Sequence, residues 1–148
     1  MKLTPTGSVI ALFVSKKGVS GRTAVASVNL DQKGIQTDKF YDKNIQRSVL
    51  LASIESYTLV EKEDISMDHG ALGENILMDY NPYLLEPGSR LKIGPALLEI
   101  TQYCTMCDHL TAIDPILPQL LCQDRGIFAK VISGGKIKKG DAVYLVEK

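Results

Sequence analysis

Glu86-Pro87-Gly88-Ser89-Arg90-Leu91-Lys92-Ile93 and Lys138-Lys139-Gly140-Asp141-Ala142-Val143-Tyr144-Leu145 decide the architecture. Each sets a glycine turn and a small polar residue ahead of alternating apolar positions, so that one face can be buried while the other meets solvent. Turn followed by strand, repeated, suits a barrel, because closing a sheet on itself removes its exposed edges. Outward from these two segments the same pattern recurs. Gly18, Gly21, Gly34, Gly70, Gly73, Gly94-Pro95, Gly126 and Gly134-Gly135 cut the chain into short apolar pieces, a spacing that favours strands over long helices. Residues 9–14, 25–28, 74–78, 90–93, 96–101, 127–132 and 142–146 read as at least seven strands, several rich in β-branched side chains. Helical signals are fewer. Ser53 can cap a helix carrying Glu55 in its first turn and Ile54, Tyr57 and Val60 at helical spacing. A second tract runs from Cys107 through Ile113 and stops before Pro115, because proline disfavours a helical residue ahead of it. The expectation is a mostly β chain closed into a barrel, with one or two short helices.

The 148 residues match the usual size of one domain, and no linker or low-complexity tract divides residues 1–148. Lys plus Arg number 17 and Asp plus Glu also 17, so no net field favours a phosphate backbone or anionic lipid. Zero Trp, three Phe and six Tyr argue further against a base-stacking platform, and nucleic acid is not an expected partner. No apolar run approaches the roughly 20 residues of a membrane span, and no signal segment follows Met1. A cytosolic protein with no membrane partner is expected. Three cysteines, an odd count, then suggest free thiols or thiolate ligands rather than a disulfide framework.

Cys104-Thr105-Met106-Cys107 can be read as a dithiol couple, half a zinc site or two unrelated thiols. The chain lacks the βαβ setting of a thioredoxin motif, and His109 and Cys122 stand at no standard finger spacing. Cys104 and Cys122 are therefore read as small buried apolar residues. Cys107 differs, since a helix start presents N–H groups that favour thiolate, a nucleophile, persulfide carrier and soft metal ligand. Arg125 can add positive charge if the fold brings it near. In Gly70-Ala71-Leu72-Gly73-Glu74-Asn75 two glycines permit close backbone approach at a bend, with an acid and an amide set at the mouth of a strand. An ordinary turn accounts for the same residues, as hairpin turns with solvated lysines account for residues 134–141. His69 and His109 read as surface or turn histidines.

Taken in order, these segments resemble the MOSC domain, the module named after the C-terminal part of molybdenum-cofactor sulfurases. Arg47-Ser48-Val49-Leu50-Leu51 resembles its arginine-led apolar strand, and Gly73-Glu74-Asn75 its Gly-Glu-Asn signature. Residues 88–94 and 98–101 are similar to the hairpin before the family cysteine, which falls on Cys107, while residues 125–131 and 134–141 are similar to its closing strands. The likeness runs from about Gly34 to the C-terminus and describes a stand-alone MOSC protein. There are departures. Met106 and Cys104 stand where the family often has proline and arginine, and Gln36-Thr37-Asp38-Lys39-Phe40 keeps only the aspartate of a Gly-Asp-x-His stretch.

The resemblance implies a MOSC-like β-barrel and a role in sulfur transfer or molybdenum-cofactor binding. Cys107 would accept a persulfide sulfur or ligate molybdenum, with Glu74, Asn75, Arg125, Arg47 and Asp38 as pocket residues. Pyridoxal phosphate would enter only through a partner cysteine desulfurase, since the chain has no room for an aminotransferase-like domain. A molybdoenzyme is the other implied partner. Two alternatives follow from the same resemblance: a molybdenum-cofactor-dependent reductase of N-hydroxylated compounds, and a non-catalytic binding module that keeps the barrel.

Overall fold

The structure, a computed structural model, describes residues 2–19, 21–104, 108–122 and 124–147. Strand β1 (Lys2–Val14) leads into β2 (Thr23–Val25), β3 (Ser27–Asp31) and β4 (Gly34–Ile35). A 3-10 turn at Ile45–Arg47 precedes β5 (Val49–Ser53), helix α1 (Ile54–Glu61) and β6 (Ile76–Met78). Then come β7 (Arg90–Ile93), β8 (Ala96–Tyr103), α2 (Asp108–Ile113), α3 (Leu117–Leu120), β9 (Ile127–Ser133), β10 (Gly135–Lys138) and β11 (Ala142–Glu147).

The sheet order β11-β7-β8-β9-β5-β6-β1 closes through a further β1–β11 pairing into a seven-stranded barrel. The two turn-then-strand segments, 86–93 and 138–145, lie side by side in it. β7 and β11 pair antiparallel, with Leu91 opposite Leu145 and Ile93 opposite Val143. Leu91, Ile93 and Leu98 turn into the barrel. On the opposite face of β7 and β8, Arg90 and Lys130 both pair with Glu99, at 3.1 and 3.3 Å. β5 and β6 run parallel, whereas the other pairings among the described residues are antiparallel.

Three strands are covered on both faces. Leu12, Leu51 and Ile76 enter the barrel core, while Phe13, Ala52 and Leu77 pack outward against Tyr57 and Val60 of α1 and against Leu110, Leu117 and Leu121. That double burial explains why Val49-Leu50-Leu51-Ala52 and Ile76-Leu77-Met78 are apolar without alternation. Ser53 caps α1 as expected, accepting from Glu55 N at 3.1 Å.

Three expectations change in detail. Residues 25–28 are not one strand: the chain breaks at Ala26, β2 joins β1, and β3 joins the separate sheet β10-β3-β4. Residues 134–141 are not only turns, because β10 pairs with β3 and buries Ile137. Among the described residues there are three short α-helices rather than one or two. α3 carries Pro118 in its first turn, where a missing N–H leaves no bond unmade.

Candidate functional site

One end of the barrel gathers most of the polar residues singled out in the sequence. The 3-10 turn before β5 is capped by Asn44, whose side chain accepts from Gln46 N at 3.2 Å, and it delivers Arg47 to the rim. There the guanidinium carbon lies 4.6 Å from the centre of the Phe128 ring, a cation–π contact. Phe128, Leu50 and Cys104 form a small buried cluster beneath it.

A second cation, Arg22, approaches the same cluster from the Gly73 side, and no local sequence pattern signals it. Arg22 Nη1 lies 3.3 Å from Asp38 Oδ1, with both side chains largely buried. Asp38 is well held: Ser15 N donates to Oδ1 at 2.6 Å and Phe40 N to Oδ2 at 3.1 Å. Burial pulls the Arg22 guanidinium below its ordinary pKa, opposed by the charges of Asp38 and Glu74. It remains a cation, because guanidinium does not deprotonate in proteins. Gly73 joins the two halves of the rim. A β-carbon built there would stand 3.7 Å from Arg22 Nη2 and 3.9 Å from Leu50 Cδ2, and its φ of +86° already favours glycine. The bare α-carbon therefore leaves room between the guanidinium and the apolar floor.

Behind Gly73, Glu74 is fully buried. Its Oε2 accepts from Tyr57 OH at 2.5 Å and from Gly70 N at 3.2 Å, while Oε1 has no hydrogen-bond partner among the described residues. Burial raises the Glu74 pKa, and the bonds from Tyr57 and Gly70 only partly oppose it. Burial and the neighbouring carboxyl likewise push the Tyr57 phenol upward. His69 is exposed, as expected, and sets its ring edge-on to Tyr57 at 4.8 Å.

Asn75 is placed differently from a pocket-lining donor. Its Nδ2 donates to Phe13 O at 3.2 Å, and its Oδ1 accepts from Leu50 N at 2.9 Å. The amide pins β1 to β5 where β6 begins. Arg125 donates from Nη2 to Cys122 O at 3.1 Å, one residue before Gly126, whose carbonyl accepts from Cys104 N at 3.0 Å. It thus stands beside the foot of the segment that follows Cys104. Cys107 itself lies outside the described residues, as does the expected start of its helix; α2 is described from Asp108. Cys104 is buried, as the apolar reading expects, but Cys122 is exposed. In the turn after α3 Leu121 takes the inward position and Cys122 the outward one. No group of three or more His, Cys, Asp or Glu side chains suited to a metal ion occurs among the described residues.

The sequence reading missed Arg22 and Tyr57. Tyr57 was visible as an apolar-face helical residue, but its hydroxyl partner lies 17 positions away, beyond any local pattern.

Fold and rim together define a class: a small closed β-barrel whose one end carries two arginines over an apolar floor, beside a cysteine-bearing connection between β8 and β9. The family model of the MOSC domain matches residues 37–144, and the chain belongs to that family. The structure resembles YuaD from Bacillus subtilis, at 17% identity over 97% of this chain and 98% of that one, with a TM-score of 0.82. It also resembles YiiM from Geobacillus stearothermophilus (22% identity, 95% and 75% of the two chains, TM-score 0.76). YiiM from Escherichia coli is similar as well, at 18% identity over 97% and 71% of the two chains, with a TM-score of 0.70. At these identities the likeness is one of fold. No curated protein matches the chain. Among the described residues no helix is long and apolar enough to cross a membrane.

Proposed function

We propose that this MOSC protein handles sulfur, with Cys107 accepting a sulfane sulfur as a persulfide and the arginine rim holding the resulting negative charge. One observation carries the reading. Arg47 lies over Phe128 and Arg22 comes close to Leu50 across Gly73, so both border the cluster of Leu50, Cys104 and Phe128, and Cys104 is the last described residue before the segment bearing Cys107. A persulfide anion needs donors or positive charge around it and shelter from bulk thiols, and a guanidinium beside apolar side chains supplies both. Arg125, at the other foot of the same connection, is a third cation on this side. Asp38 and Glu74 act one step back. Asp38 fixes Arg22, and Glu74 with Tyr57 fixes the Gly70–Gly73 bend that leaves Arg22 its space.

The same donor set suits the anionic part of a molybdenum cofactor, which Arg22 and Arg47 would hold. Bound there, the metal would offer Cys107 a soft partner for its thiolate. Pyridoxal-phosphate chemistry belongs, in this reading, to a separate cysteine desulfurase that releases sulfur from cysteine.

The test is incubation with a cysteine desulfurase and cysteine, or with cysteine persulfide alone, followed by intact-mass measurement. The expected result is one reductant-removable sulfur on the wild type and none at this position in Cys107→Ser. Arg22→Ala and Arg47→Ala should shorten the lifetime of the adduct. A wild type that takes up sulfur from neither donor would leave only the barrel and end the carrier reading.

A further inference from the structure

We propose that the two loops beside the arginine rim, residues 15–19 with 21–22 and residues 36–47, form the docking surface for an acidic sulfur-donor protein. The proposal rests on the reading of Cys107 as a sulfur acceptor. Its starting point is a segregation of charge that overall neutrality hides. Residues 1–47 hold eight Lys or Arg against three Asp or Glu, whereas residues 48–148 hold nine against fourteen. Most of the basic excess lies on these two loops: Lys16, Lys17, Lys39 and Lys43 are all exposed. Of the two acids there, Asp38 is buried and spent on Arg22, leaving Asp42 at the surface.

The two loops make one surface. Lys39 N donates to Ser15 O at 2.8 Å, Ser15 N donates to Asp38 Oδ1 at 2.6 Å, and Lys43 N donates to Phe40 O at 3.3 Å. At the centre stands Phe40, 46% exposed, with the Arg22 guanidinium 5.5 Å and the Lys39 ammonium 5.2 Å from its ring centre. Val19 and Ile45, 47% and 40% exposed, add apolar area on the same two loops. Exposed apolar side chains beside cations on the same two loops match the anatomy of a protein interface, which combines apolar burial with steering charge. The complementary face must be acidic with an apolar anchor. Position says what such a partner delivers, since Arg22 touches Phe40 on one side and borders the Gly73 gap on the other.

The transfer across this interface balances without an added oxidant. The Cys107 thiolate attacks the terminal sulfur of the donor's protonated persulfide, and a new S–S bond forms on Cys107. The donor's S–S bond breaks, its electron pair leaves on the donor thiolate, and the proton stays on the transferred sulfur.

The test compares two sulfur sources on the full chain: a cysteine desulfurase whose face around its catalytic cysteine is acidic, and cysteine persulfide free in solution. Wild type, the charge reversals K16E/K17E and K39E/K43E, and Phe40→Ser are loaded, with initial rates read by intact mass and folding checked by circular dichroism. Each variant should slow loading from the desulfurase, the reversals about tenfold, the low end of what electrostatic steering gives. Raising salt should slow the wild type in the same way. Loading from free cysteine persulfide should stay within about twofold of wild type, since steering by these lysines grows with the number of charges on the partner and this small monoanion offers only one. Variants that load from the desulfurase at the wild-type rate, or slow equally with both sources, overturn the docking surface. So does a wild type that loads from cysteine persulfide but not from the desulfurase, and in that case the carrier reading survives. Loading from neither source removes both. Charge-dependent binding to phosphatidylglycerol vesicles without any effect on transfer reassigns the patch to lipid and also overturns the proposal.

Discussion

Replacing Tyr57 by phenylalanine removes one oxygen from the bend that carries Gly70, Gly73 and Glu74. The lost hydroxyl donates to Glu74 Oε2 at 2.5 Å and accepts from Gly70 N at 3.0 Å. Gly70 N keeps its second bond, to Oε2 at 3.2 Å, while Leu72 N loses the hydroxyl it donates to at 3.4 Å, a loss that does not depend on the charge of Glu74. A bond between neutral groups contributes about 1 kcal/mol, and one to an ionised group about 1.5–3 kcal/mol. The cost of Tyr57→Phe should therefore depend on whether Glu74 is protonated. Burial raises the native Glu74 pKa above its unfolded value, so stability linked to this group is complete below the ordinary glutamate range and is lost as pH rises through the native pKa. Tyr57 pulls that pKa down, and without it the rise is larger and the loss greater. The expected penalty is about 1 kcal/mol on the acid side, growing to about 2–3 kcal/mol once Glu74 ionises. Urea unfolding of wild type, Tyr57→Phe, Glu74→Gln and the double variant across pH measures it. In the Glu74→Gln background the penalty should stay at about 1 kcal/mol at every pH. A penalty that does not grow with pH while Glu74 is present, or that grows equally in the Glu74→Gln background, would refute the coupling.

Asn75→Ala should destabilise the fold by about 2–4 kcal/mol in urea unfolding, since it strips partners from the buried Leu50 N–H and from Phe13 O. A change under about 0.5 kcal/mol would show that the amide does not pin the strands. Gly126→Ala should cost about 2–4 kcal/mol, because φ is +138° and the new β-carbon would stand 2.9 Å from Leu50 Cδ1 and 3.3 Å from Leu51 O; wild-type stability would contradict that geometry. Timed alkylation of the native protein should modify Cys122 well before Cys104, one being exposed and the other buried. The reverse order would mean that the Leu50–Cys104–Phe128 cluster opens readily.

The barrel was legible because its strands announce themselves locally. Alternation in Arg90-Leu91-Lys92-Ile93 shows which side chains turn inward, and the glycines mark where strands reverse. What escaped the sequence depends on distance along the chain. Nothing in Gly21-Arg22-Thr23 indicates that the guanidinium reaches Asp38, sixteen residues on, because that bond needs the Ser15 loop folded beneath it. Gly73-Glu74-Asn75 marked a special bend, yet its two polar side chains act in different places. Glu74 accepts from Tyr57 of α1 and from Gly70 of the bend, while Asn75 spends its amide on a carbonyl 62 residues earlier. Ala26 likewise carries no breaker signal. Its strand divides because β1 and β10 claim the two halves for different sheets.

The location of the rim follows from how the barrel ladder ends. β8 and β9 remain paired to Tyr103 opposite Ile127, and one further bond, Cys104 N to Gly126 O, closes the ladder before the strands part. Each foot of the connection that follows is tied down. Tyr103 OH donates to Tyr83 O at 2.5 Å, and Ser56, from α1, donates to Asp124 O at 2.6 Å. A connection so anchored can vary in sequence between its feet without disturbing the strands, which is why chemistry is more readily placed on such loops than in the ladder itself. The charges come from elsewhere: Arg22 from the loop after β1 and Arg47 from the turn before β5. Cys104 and the two cations therefore come from separate parts of the chain and meet at Leu50 and Phe128. Altering the cations should change how long a sulfur adduct lasts while leaving the barrel intact, whereas altering that floor should disturb both at once.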